Sequence, residues 1–132
     1  MLARFFGKKP APLTGAPAVR RQKTYSAQTG YVYQYFYEGQ RPLSPEPGTE
    51  YVFDVSSDRK TSALVSVHVT TESIEAWETR NNRSLSSSER YAIAKMALFS
   101  AFDERPHPDA MREPVRVTPG AVHAILETLN ID

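Results

Sequence analysis

Residues 31–37 read Tyr31-Val32-Tyr33-Gln34-Tyr35-Phe36-Tyr37, and this stretch decides the fold. Side chains alternate between faces along a strand, so Tyr31, Tyr33, Tyr35 and Tyr37 fall on one side. A row of phenols is either an amphipathic face that packs against helices or an aromatic platform for a partner. Glu38-Gly39 is expected to stop the strand, with Pro42, Pro45, Pro47 and Gly48 forming a stiff surface loop after it.

Downstream, Glu50 to Ser56 alternates, with Tyr51, Phe53 and Val55 on one face and Val52 and Asp54 on the other. Ser62 to Val69 sets Ala63, Val65, Val67 and Val69 against Leu64, Ser66 and His68. The polar turn Ser56 to Lys60 joins the two into an antiparallel hairpin. Thr70 or Thr71 then caps a short helix with Glu72 and Glu75 in its first turn, and this helix ends near Asn81-Asn82. Trp77, three residues after Ile74, belongs in the core.

Ser86-Ser87-Ser88-Glu89 is a capping box that opens a helix over Ser87 to Phe102. That helix is apolar around most of its circumference, so it is expected at the centre, packed on the sheet and on another helix or a partner chain. Asp103 to Glu113 reads as loop and Val115-Arg116-Val117 as a short edge strand. Thr118-Pro119 starts a last helix that runs to about Leu129. The resulting class is α+β: a small antiparallel sheet of three to four strands, covered on one face by about three helices.

Upstream of the tyrosines the pattern changes. Residues 7–30 show no helical or strand period and carry Pro10, Pro12, Pro17, Gly7, Gly15 and Gly30. Residues 1–29 therefore read as a flexible basic arm and residues 30–132 as a single domain, with the boundary near Ala27 to Gly30. The net charge of +1 hides an asymmetry. Up to Tyr37 the chain holds six basic residues and no acid, while the rest sets ten basic residues against fifteen acidic ones. A basic arm on an acidic body is a pattern of proteins that touch nucleic acid or anionic membrane, as well as of plain solvated tails.

Several chemistries are excluded by composition. With no cysteine there is no disulfide framework and no thiolate metal site. His68, His107 and His123 lack ligand spacing, and neither a metal nor a cofactor is expected. Asp54 and Asp58 flank a turn too short in oxygen ligands, and without the bend glycine, for a calcium loop. Phosphate-binding glycine motifs and a nucleophile elbow are missing, and His68 beside Ser66 has no orienting carboxylate specified by the sequence. No run of about 20 apolar residues spans a bilayer. Met1 to Phe6 is too short for the apolar centre of a secretory signal, and a cytoplasmic location is expected.

The functional expectation is a small non-enzymatic binding or adaptor domain with a protein partner, or a homodimer formed through the tyrosine strand or the apolar helix. The alternative is a single-stranded nucleic-acid binder. In it Arg20, Arg21 and Lys23 draw in the backbone while Tyr33 and Tyr35 stack on bases. The β-α-β-β-α-β order of the RNA-recognition fold is absent.

Overall fold

The computed structural model describes residues 11–131, so Arg4, Lys8 and Lys9 of the basic arm lie outside the described residues. The elements are β1 (Lys23–Ser26), β2 (Val32–Pro42), β3 (Gly48–Ser56), β4 (Ala63–Thr70), α1 (Thr71–Asn81), α2 (Ser87–Glu104), β5 (Val115–Val117) and α3 (Pro119–Thr128). A short 3-10 helix, Pro108–Arg112, occupies part of the segment expected as loop. The class is α+β as expected, but the sheet has five strands in the order β1-β2-β3-β4-β5 and is mixed. The first four pair antiparallel, whereas β5 runs parallel to β4 because the chain crosses over through α1 and α2 before returning.

The tyrosine strand packs rather than displays its rings. Tyr33, Tyr35, Tyr51, Phe53, Val55, Val65, Val67, Val69, Val115 and Val117 share one cluster with the buried side chains of all three helices. Tyr33 stacks on Phe102 of α2 with ring centroids 4.1 Å apart and planes 9° from parallel, and Tyr25 stacks on Phe99 at 4.3 Å. Offset stacking of this kind adds about 0.5–1.5 kcal/mol to area burial. Trp77 is buried, and Ile93, Leu98 and Phe102 of α2 are fully so. α3 packs on α1 and α2, so a second helix covers part of the apolar circumference of α2.

Strand pairing begins further upstream than the apolar periodicity implies. Lys23–Ser26 pairs with Val32–Tyr35, and Thr14 exchanges backbone hydrogen bonds with Gln40 at 2.9 and 2.8 Å. Alternate residues of β1 exchange backbone hydrogen bonds with β2, a gain that apolar periodicity does not register. Tyr25 reinforces β1 by donating to Asp103 at 2.7 Å, a bond that pushes its phenol up to about 12. β2 also continues through Glu38-Gly39 instead of stopping there. The register shifts between Tyr37 and Gly39, so Glu38 is the extra residue of a bulge. Gly39 adopts φ +126°, and a Cβ there would lie 2.7 Å from the Thr14 carbonyl oxygen.

Helix starts follow local chemistry. Thr70 accepts from the Ser73 amide and Thr118 from the Ala121 amide. Ser86 accepts from the Glu89 amide at 3.1 Å while Glu89 accepts from the Ser86 amide at 2.9 Å, so the capping box is complete. Ser86→Ala should lower unfolding stability by about 1 kcal/mol, read by urea denaturation, because it orphans a helix-end amide. An unchanged midpoint would mean that solvent serves that amide equally well. Downstream of α2, Arg105 donates to the carbonyls of Ala110, Glu113 and Pro114 at 2.7–3.0 Å. One guanidinium thus holds the 3-10 helix against the sheet edge.

Candidate binding site at the β3–β4 loop

The residues expected to form a nucleic-acid surface are not brought together. Tyr33 and Tyr35 are 1% and 4% exposed on the helix-covered face, and burial pushes the Tyr35 phenol up to about 12. Neither ring has a free face for a base. Arg20 lies on the opposite, outer face, its guanidinium 3.7 Å from the centre of the Phe36 ring. The same side chain donates from Nη2 to Glu38 and, at 3.0 Å, to Asp54. Cation–π contact and two carboxylates neutralise it, so it is spent within the fold rather than offered to phosphate. Arg21 and Lys23 are exposed.

The outer face carries a second polar group. Glu50 accepts from Arg41 Nε at 2.9 Å and from Ser66 Oγ at 2.6 Å, with His68 Nε2 at 3.9 Å. Arg41, together with the Ser66 hydroxyl, holds the Glu50 carboxyl below its ordinary range. A carboxylate therefore does stand beside Ser66 and His68, supplied by the neighbouring strand. Its geometry is wrong for a nucleophile relay, since Ser66 donates to the acid and not to the imidazole. A carboxylate of lowered basicity is also a poor base for a hydroxyl.

A different constellation appears at the end of the sheet where β3 turns into β4. Tyr33 and Gln34, consecutive on β2, point to opposite faces, and each has a buried polar atom without a hydrogen-bond partner among the described residues: the Tyr33 hydroxyl and Gln34 Oε1. Each residue also lines a cavity. On the helix side a space of about 140 Å3 lies between Tyr33, Val55, Val65 and Met111, with Asp109 and Arg112 also in its lining. On the outer side a space of about 450 Å3 lies over Gln34 and Phe36, walled by Arg20 and by Arg59 to Ser62. Ser56, Thr61 and Ser62 border both. The β3–β4 loop therefore frames two cavities set back to back across the sheet.

The loop is built to hold its shape. Ser56 Oγ accepts from the Arg59 amide at 2.9 Å, and Asp58 Oδ1 accepts from the amides of Lys60 and Thr61 at 2.8 and 2.9 Å. The Thr61 and Lys60 amides hold the Asp58 carboxyl down to about 2, against an ordinary 3.8. Because the folded value is depressed, this carboxylate stabilises the loop above its ordinary value and ceases to as pH falls through about 2.

An unpaired buried polar atom is costly, about 1–3 kcal/mol, and native structures hold few of them. Tyr33→Phe and Gln34→Met, which delete these atoms at nearly constant volume, should leave stability unchanged or raise it by up to about 1 kcal/mol in thermal unfolding. A loss of more than about 1 kcal/mol in either would show that the atom already has a partner in the free protein. Gln34, Arg59 and Lys60 escaped the reading of the sequence. The signal available was a lone amide inside an aromatic strand, with nothing to say which loop would close over it. The described residues hold no cluster of histidine and carboxylate side chains suited to a metal, and no helix long and apolar enough to cross a membrane. The chain matches no family model, no curated protein and no solved structure.

Proposed function

We propose that this chain is a non-enzymatic binding domain whose ligand is taken up at the end of the sheet framed by the β3–β4 loop. The observation that carries the reading is the pair of unpaired buried atoms on Tyr33 and Gln34, each beside a cavity bordered by the same rigid loop. Groups kept at a cost to stability are a mark of function, because selection for stability alone would replace them. The outer-face trio of Ser66, His68 and Glu50 does not compete as a reading, since the serine is committed to the acid.

The test is a two-dimensional amide NMR titration of the whole chain against a panel of neutral, anionic and cationic small molecules. Saturable shifts are expected for residues 33–34 and 56–62. Shifts confined to other regions, or none with any member of the panel, would overturn the reading.

A protein partner is the second reading, favoured by one observation. Among the described residues β1 is a sheet edge that pairs with β2 alone, with backbone groups on its other side available to an added strand. The homodimer routes expected from the sequence have little left to offer, because β2 is an interior strand and the apolar stripe of α2 is spent on the core. Sedimentation across a hundredfold concentration range distinguishes self-association at β1 from a monomer.

A further inference from the structure

We propose that the outer cavity binds a small phosphate monoester that also carries hydroxyl or N–H groups, the chemistry shared by sugar phosphates and nucleoside monophosphates. This deepens the binding reading above and rests on it.

The need for a donor comes from Gln34. Gln34 is 5% exposed and lines the cavity, and its Oε1, closed off from solvent, has no donor among the described residues. Phosphate oxygens are acceptors, so a ligand group that meets Oε1 once the Gln34 amide turns toward the cavity must be an O–H or N–H donor. The need for an anion comes from the loop. Arg59 and Lys60 are exposed, line the same cavity and form no ion pair among the described residues. The nearby acids are already engaged, Asp54 by Arg20 and Asp58 by loop amides. Arg20 is paired with Glu38 and Asp54, so the cations without an ion pair among the lining residues are Arg59 and Lys60.

Two adjacent cations on a loop whose backbone is already hydrogen-bonded suit a dianion better than a single carboxylate, and the loop is ordered before binding. The hydroxyls of Thr61 and Ser62 border the same space. At about 450 Å3 the cavity is larger than inorganic phosphate requires and falls within the range of small-molecule sites.

The experiment titrates the whole chain, at low salt and by amide NMR, with ribose 5-phosphate, adenosine monophosphate, inorganic phosphate, ribose and adenosine. Either phosphate ester should shift Gln34 and residues 59–62 saturably, at least tenfold more tightly than ribose or adenosine. The stronger of the two identifies the source as sugar phosphate or nucleotide. Arg59→Gln with Lys60→Gln, both on exposed side chains, should weaken the esters at least tenfold while the spectrum stays dispersed. Gln34→Met should weaken ribose 5-phosphate more than inorganic phosphate. Equal binding of neutral and phosphorylated probes, or full affinity in the double variant, would overturn the phosphate assignment and leave the binding reading standing. If none of these probes moves these amides the phosphate assignment falls, and if the cationic members of the wider panel also leave them unmoved the binding reading falls with it.

Discussion

Phe102→Ala should destabilise the protein by about 3–5 kcal/mol, the range for truncating a buried aromatic. Phe102 is fully buried in α2 and sits where sheet and helices meet: it stacks on Tyr33 at 4.1 Å and lies 5.7 Å from Tyr25 and 6.4 Å from Tyr35. The transfer free energy of the ring is lost, and the cavity left among three tyrosines collapses poorly because their backbones are pinned in the sheet. A domain of this size has about 5–15 kcal/mol in total, so the variant should unfold at markedly lower denaturant with an unchanged slope. A midpoint within error of the parent would mean that α2 is not the central helix. Because Tyr33 loses its stacking partner, shifts of the loop amides 56–62 should accompany the loss.

Gly48→Ala should cost about 2–4 kcal/mol by a different route, backbone strain added to overpacking. Gly48 opens β3 at φ +154°, and a Cβ there would stand 2.5 Å from the Val69 carbonyl oxygen, 2.8 Å from the Thr70 Cα and 3.1 Å from a Leu43 methyl carbon. Two of these atoms are backbone and cannot rotate away. Thr70 is also the cap of α1, and Gly48 itself accepts from the Leu43 amide at 2.9 Å. Relief of the clash must therefore disturb the first β3–β4 pair and the helix start together. Hydrogen exchange should show lost protection at both places. Parent-like exchange at Thr49 and Ser73 would show that the strand yields without harm.

What could be read from the sequence is what depends on residues close in the chain. Ser86 and Glu89 are three apart, so their reciprocal hydrogen bonds were legible, as was Thr118 ahead of Pro119. Alternation assigned the faces of β3 and β4, and of the tyrosines, because a period of two needs no knowledge of the partner strand. It could not say whether the phenols were packed or displayed. Phe99 and Phe102, more than sixty residues further on, decide that.

β1 was missed because Lys23-Thr24-Tyr25-Ser26 has no apolar period of its own and is ordered by pairing with β2. The parallel pairing of β5 depends on where α1 and α2 deliver the chain, which no local signal encodes. Arg20 illustrates the same limit. Its sequence neighbours made it part of a basic arm, but Phe36, Glu38 and Asp54 converge on it from two strands and neutralise it. The candidate site belongs to this second class, since Gln34 is an ordinary strand residue until residues 59–62 fold over it and leave its amide oxygen unpaired beside a cavity. Short-range hydrogen bonding and side-chain alternation determined the elements, whereas burial and charge pairing between distant segments decided which side chains remain free to bind.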